Sequence, residues 1–322
     1  MTEEENYFRA VEFRHPQWIV TQVSLMPATW QKYREALEDI VIRYPIIFGK
    51  YERGSKDFDE VEGTYREGRH TDEWGCVWEN VAQGLDGQVV GHPLADRDAV
   101  RSFKPPPLGT GFSHGFMFQR LYYLRGFENL MLDFVEEPPE LRMLIDKVFA
   151  YNMREVQRVL QDHPRIVYFG DDLGNQQRLP IHPETFRKYL KPSYARIYGA
   201  CREAGAHVYM HSDGHILEII TDLIECGVTV LNPQVRANSL DGLVRTCKGK
   251  VCVNLDLDRQ LFPFATPEGL AAHVREAVEK LAAPEGGLML VAECEPDVPL
   301  ENIEAICQAL EECRTYRVPQ RR

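Results

Sequence analysis

Positive charge is scarce in this chain. Its 37 lysines and arginines stand against 49 aspartates and glutamates, giving a net charge of -12 over 322 residues. That balance argues against a nucleic-acid-binding surface, which must neutralise phosphates. It leaves open a basic protein partner or a cationic ligand. Long apolar runs are missing as well. No stretch reaches the roughly 18 residues that a membrane-spanning helix needs, so no membrane role is expected. The N-terminal segment MTEEENYFRAVEFRH is acidic and polar, unlike a secretory signal. None of the eight cysteines, at 76, 201, 226, 247, 252, 294, 307 and 313, forms a CxxC pair. Reduced thiols and a cytoplasmic location are therefore expected. No GxGxxG follows any strand-like run and no P-loop is present, which excludes the common dinucleotide and phosphate cradles.

What is present is a globular composition, 44% hydrophobic and 27% charged. From residue 163 onward, short apolar runs alternate with helical patterns. RIVYFGDD (165–172) precedes PETFRKYLKPSYARIYGACREAG (183–205), which has proline in its first turn and glycine at its end. HVYMHSDG (207–214), VTVLNPQ (228–234), VCVNLDL (251–257) and LMLVAEC (288–294) follow, each with a helix candidate after it. Nearly continuous apolar strands at this spacing imply a parallel sheet with both faces covered. The first half is less regular. Strands are expected at 19–25, 75–80, 109–113, 166–171, 207–211, 228–232, 251–255 and 288–293. Eight parallel strands predict a single (β/α)8 barrel over residues 1–322, with an irregular N-terminal extension.

Catalytic groups of such barrels project from the carboxyl ends of the strands. The polar residues there are Gln22, Ser24, His114, Asp171, Asp172, His211, Asp213, Asn232, Asn254, Asp256, Glu293 and Cys294. Asp72, Glu73 and Trp74 join them if DEWGCVW forms a loop over that face. His211 and Asp213, two apart, share a side if the extended geometry continues. With Cys294 they form a donor set suited to zinc. The alternative is a hydrogen-bonded His211 beside a buried Cys294 thiol. His215 opens the next helix and is expected as a capping or surface residue. Arg125, amid aromatics, could bind a substrate carboxylate or pair with Asp133 or Glu136.

The stretches DEWGCVW, YYLRGFENLMLDFVEEP, GDDLGNQQRLPIHPETFRKYLKP, HSDGHILEIITDLIECGVTVLNP, VNLDLDRQLF and PDVPLENIEAI resemble the uroporphyrinogen decarboxylase superfamily, a family of (β/α)8 barrels. The RQAGR motif of the true decarboxylases is replaced here by TQVSLMPATW, without either arginine. The other branch contains corrinoid-dependent methyltransferases, several of which bind zinc through H-x-C and a late cysteine. His211-Ser212-Asp213 stands at the first position and Cys294 near the second, with Glu293 as a further donor. DEWG and YLRGFENLM look most like the branch acting on methoxylated or methylated small molecules. That resemblance implies a donor, a methyl ether or methoxylated aromatic, held near Trp74, Phe116 and Tyr123. His114, Asp171, Asn232 and Asn254 are expected to bind substrate, and His211, Asp172 and Asp72 to be catalytic. An Asp172 of raised pKa would be a candidate general acid. DGHILE (213–218) approaches a corrinoid-binding DxHxxG segment but ends in Glu218. The cobalamin is therefore expected on a separate corrinoid protein, and a homodimer is consistent with the superfamily. The alternatives are a cofactor-free decarboxylase using Asp72, methyl delivery to a thiol acceptor, and a non-catalytic binding protein.

Overall fold

The structure, a computed structural model, describes residues 1–61, 63–109, 112 and 114–316. The chain packs as two compact units. One comprises Met1–Glu67, Asn80–Asp86 and Asn232–Arg322; the other comprises Gly68–Glu79 and Gly87–Leu231. Nine strands occur among the described residues: β1 (Val20–Leu25), β2 (Gly68–Thr71), β3 (Val77–Asn80), β4 (Gln88–Gly91), β5 (Ile166–Gly170), β6 (His207–Ser212), β7 (Val230–Pro233), β8 (Cys252–Asp256) and β9 (Leu288–Cys294). Six form a parallel sheet in the order β1-β9-β8-β7-β6-β5. The first strand lies beside the last, with Val20 opposite Met289 and Leu25 opposite Cys294. Closure of a βα ring calls for this first-to-last pairing, and it differs from the order of a doubly wound sheet.

The apolar runs explain the strands. Every residue of β7 and β8 is buried, as parallel strands covered on both faces should be. Between strands, local signals place the helices. Thr266 caps the helix Pro267–Leu281 by accepting from the Gly269 amide, with proline at its first position. Gly227, at φ 116°, ends the helix Ile220–Cys226 in a conformation that a side chain would strain. The expected helix over 183–205 is interrupted by a π-helical stretch at Phe186–Leu190 before it continues as Lys191–Glu203. No helix among the described residues is long and apolar enough to cross a membrane.

Two expected barrel strands differ. Residues 75–80 do not enter the parallel sheet; β3 joins β2 and β4 in a separate three-stranded sheet and runs antiparallel to β4. A tight turn at Asp72–Cys76, with Gly75 at φ 85°, reverses the chain between β2 and β3. At 109–113, Gly109 and Phe112 carry no strand, and Thr110, Gly111 and Ser113 lie outside the described residues.

Candidate functional site

The polar centre of the second unit is built where β5 and β6 end. Two backbone-close loops, GDDLG and HSDG, cross there. A Cβ on Gly174 would lie 2.5 Å from the backbone of His215, and one on Gly214 would collide with the backbone of Gly174. The glycines thus allow an approach that no side chain permits. The loops are laced together: the Asp171 amide donates to the His211 carbonyl at 3.0 Å, and the Leu173 amide to Ser212 Oγ at 3.0 Å. The Asp213 amide donates to Asp172 Oδ1 at 2.9 Å.

The adjacent carboxylates of GDD divide the work, as opposite strand faces require. Asp171 is completely buried. Its Oδ2 accepts from the Phe118 amide at 2.6 Å, the Met117 amide at 3.2 Å and the Tyr194 hydroxyl at 2.5 Å; its Oδ1 accepts from the Gln119 amide at 2.8 Å. Burial pushes its pKa up to about 6, against the pull of Tyr194 and these amides. The carboxylate therefore holds the start of the helix Phe118–Arg125, where amides and helix dipole favour negative charge. Expected as a substrate contact, Asp171 instead builds the wall of the site from inside.

Asp172 faces the other way. Its Oδ2 accepts from His114 Nε2 at 2.9 Å and from Gln119 Nε2 at 3.0 Å, while its amide donates to Gln119 Oε1 at 2.8 Å. Its Oδ1 lies 3.8 Å from His211 Nε2. Burial opposes ionisation, but the bond and charge of His114, the charge of His211 and the Asp213 amide outweigh it, so its pKa falls below the usual aspartate value. The expectation of an acid of raised pKa is thereby corrected: Asp172 is an anion that gathers imidazoles. Enclosure lowers the His114 pKa, but Asp172 more than compensates, and the net direction is upward.

The two imidazoles stand 5.4 Å apart, centroid to centroid, tilted by 55°. One ligand atom from each of His114, Asp172 and His211 falls within a 4.8 Å group, and this is the metal-competent cluster among the described residues. Asp213 flanks it, with Oδ1 3.2 Å from His211 Nε2. Gly170 makes room for His114: a Cβ there would lie 2.5 Å from its Nδ1. Gln119, which was not anticipated, ties the cluster to the aromatic wall, donating to the Tyr122 and Tyr123 hydroxyls at 3.2 and 3.1 Å. Burial raises both phenol pKa values, so both keep their protons at neutral pH.

Other expected residues take different places. Trp74 is buried, edge-on to Tyr151 at 4.6 Å. Phe116 is buried against Phe169 and Tyr194. Neither ring is free for a donor, whereas Tyr123 is half-buried beside Gln119. Both oxygens of Asp72 are engaged: Oδ1 accepts from the Trp74 and Cys76 amides, and Oδ2 from Trp78 Nε1 at 3.0 Å and Arg120 Nη1 at 3.3 Å. Its geometry is that of a turn-former paired with a buried arginine. Arg125 is buried and bound to Asp133 and to the Leu94 and Ala95 carbonyls, which is the ion-pair alternative. His215 Nε2 meets Glu218 at 3.4 Å, outside the cluster.

The remaining expected residues belong to the first unit. Asn232 donates to the Asn254 carbonyl at 2.6 Å, and both side chains are buried. Arg259 bridges Asp256 at 3.1 Å and Glu293 at 2.6 Å, so Glu293 serves an ion pair. Cys294 is wholly buried, and burial drives its thiol pKa well above the ordinary value. The thiol lies outside the His114–Asp172–His211 group, so the structure brings together only part of the expected donor set.

An α/β protein with a polar cluster at parallel-strand ends is the class these features define. Residues 111–313 match the uroporphyrinogen decarboxylase (URO-D) family, and the chain belongs to that family. Among solved structures, a methyltransferase from Methanosarcina mazei is similar, with 18% identity, a TM-score of 0.54, and coverage of 74% of this chain and 76% of that one. A putative vitamin-B12 independent methionine synthase from Listeria monocytogenes matches with 13% identity and a TM-score of 0.37, over 56% of this chain and 57% of its own. No curated protein matches.

Proposed function

We propose that the chain is a methyltransferase. It moves a methyl group from a small methylated donor, preferentially a methyl ether or methoxylated aromatic, to the cobalt of a corrinoid carried by a separate protein. The observation that carries this is the His114–Asp172–His211 cluster in a member of the URO-D family. The similarity in fold to the Methanosarcina methyltransferase supports it. The decarboxylase alternative depends on Asp72, and both oxygens of Asp72 are occupied by turn amides, Trp78 and Arg120.

Two imidazoles and a carboxylate fit a zinc ion, with Asp213 and Gln119 as outer supports. When bound, zinc would supply Lewis-acid polarisation of the oxygen that loses its methyl group, because an alkoxide leaves poorly. The protein's own groups do the positioning. Asp171 anchors the helix that carries Gln119, Gln119 pins Asp172, and Asp172 aims His114. The neutral phenols of Tyr122 and Tyr123 offer a hydrogen-bonding edge beside them. A second version is favoured by the 2.9 Å bond between His114 and Asp172. In it no metal is bound, and the imidazolium of His114 gives the leaving oxygen its proton.

Zinc analysis of purified protein, with cob(I)alamin methylation followed by absorbance across methoxylated aromatics, methylamines and methylated thiols, tests both versions. Stoichiometric zinc that is lost in His114→Ala and His211→Ala supports the first. Turnover without metal supports the second. Turnover of uroporphyrinogen III with no methyl transfer refutes the proposal.

A further inference from the structure

We propose that the phenols of Tyr122 and Tyr123 are a catalytic hydrogen-bond donor pair for the oxygen that gives up its methyl group. The inference rests on the proposed methyl transfer and narrows the methyl donor to oxygen compounds. The Asp172 amide donates to Gln119 Oε1 at 2.8 Å, and a backbone amide can only donate, so the two ends of the Gln119 carboxamide are fixed. Gln119 Nε2 then lies 3.0 Å from Asp172 Oδ2, 3.2 Å from the Tyr122 hydroxyl and 3.1 Å from the Tyr123 hydroxyl. Both phenol oxygens accept from it, and each still carries a proton of its own. Burial raises both pKa values, so neither phenol ionises at neutral pH. One phenol can pass its proton to the other, whose ring stands edge-on at 4.8 Å. At least one O–H is then left without a protein acceptor among the described residues.

The fold fixes this donor beside the imidazoles. Gln119 precedes Tyr122 by three residues and Tyr123 by four, so one face of the helix Phe118–Arg125 brings all three together. A Cβ on Gly115 would lie 2.9 Å from Tyr123 Cε2 and 2.9 Å from Gln119 Cβ, so that side is closed. Trp78 packs edge-on to Tyr123 at 5.2 Å, and Phe118 to Tyr122 at 5.6 Å. Through Gln119, both hydroxyls stand two hydrogen bonds from Asp172 Oδ2, the atom that holds His114. His114 also answers the charge of Asp172, so no bare carboxylate opposes an oxygen that becomes negative there. When the methyl group leaves, the carbon–oxygen bond breaks and its electron pair stays on oxygen, while the carbon takes the electron pair of cobalt(I). A fixed O–H aimed at that oxygen binds it more strongly as the charge develops. The phenol keeps its own proton; the proton that completes the product comes from the His114 imidazolium or from water. A thioether sulfur accepts only weakly and a methylammonium nitrogen has no lone pair, so the pair favours ethers.

Calorimetric binding of 4-nitrophenolate and of 4-nitroanisole, with no corrinoid present, tests the donor directly. Wild type is expected to bind the phenolate at least about tenfold more tightly than the ether. The double variant Tyr122→Phe/Tyr123→Phe should lose that preference, with ether affinity within about threefold of wild type. The ratio is the readout, because a merely distorted site weakens both ligands alike. In cob(I)alamin methylation the double variant should slow 4-nitroanisole about 10- to 100-fold and 4-nitrothioanisole by less than about threefold. Circular dichroism checks folding; if the double variant does not fold, Tyr122→Phe and Tyr123→Phe are read singly, and unchanged ratios in both overturn the proposal. An unchanged ratio in a folded double variant, equal slowing of ether and thioether, or no phenolate binding to wild type would each overturn it too. Because binding is read without corrinoid, a tyrosine-dependent phenolate preference with no methyl transfer refutes only the function. Methyl transfer with a ratio that ignores both tyrosines refutes only the donor pair.

Discussion

Replacing Gly170 by alanine moves one imidazole without altering it. The new Cβ would lie 2.5 Å from His114 Nδ1 and 3.2 Å from its Cε1, where ordinary contact begins near 3.4 Å. Gly170 does not have a left-handed φ, so the backbone tolerates alanine and only the ring must yield. Retreating by about 1 Å stretches the 2.9 Å bond to Asp172 beyond hydrogen-bond reach. A hydrogen bond to a charged group contributes about 1.5–3 kcal/mol. His114 is half exposed, so water replaces most of that, and the stability loss should stay near 1 kcal/mol or below. Function is less forgiving, because displacing a catalytic group by about 1 Å can cost on the order of 10²-fold. Gly170→Ala should therefore cut kcat/KM for cob(I)alamin methylation by roughly that factor, lower the zinc content and barely shift Tm. Wild-type zinc content and rate in this variant would refute the placement of His114 at the reacting centre. A large fall in Tm would instead assign Gly170 a role in folding.

Asp172→Asn keeps the size of the side chain but removes the charge that gathers both imidazoles and that the fold favours; turnover should fall at least about 10²-fold and stability by about 1–2 kcal/mol at neutral pH, as thermal unfolding beside the rate assay will show. Gly214→Ala places a Cβ against the Gly174 backbone at φ 79°, so a loss of about 2–4 kcal/mol, or insoluble expression, is expected in denaturant titration. Asp222 is buried and held by Arg187 and Lys191; burial raises its pKa, but the two cations outweigh it and the net direction is downward. Its contribution is thus complete at neutral pH and is lost as pH falls below the ordinary aspartate value of about 4. Asp222→Asn should lower stability by about 1–2 kcal/mol at pH 7, and the gap to wild type should close in acid; a gap that persists at pH 3 contradicts the ion-pair account.

The parallel strands were legible because burial on both faces writes itself as continuous apolar runs. The expected 166–171, 251–255 and 288–293 lie within one residue of Ile166–Gly170, Cys252–Asp256 and Leu288–Cys294. Extended runs carry no mark of direction, so VWEN was readable as a strand but not as a member of an antiparallel sheet. His211 and Asp172 were visible as strand-end polar residues. Their union with His114 was not, since His114 stands 58 positions before Asp172 and the union depends on Gly170. Gln119 gave no signal, being a polar residue in a helix whose buried face only packing reveals. Cys294 was visible as a strand-end donor, but it lies wholly buried and outside the His114–Asp172–His211 group. Trp74 and Phe116 are buried among other aromatics, and the sequence could not show this, since aromatics beside a motif serve the core as readily as the site.

The central claim is methyl transfer to cobalt at the His114–Asp172–His211 cluster. Its most direct test is to incubate the protein with cob(I)alamin and a methoxyarene labelled with ¹³C in the methyl group, then follow the label by NMR. The account predicts labelled methylcobalamin and the free phenol in equal amounts with wild type, and neither with His211→Ala. Label that stays on the arene with wild type, or moves equally well with His211→Ala, would contradict it.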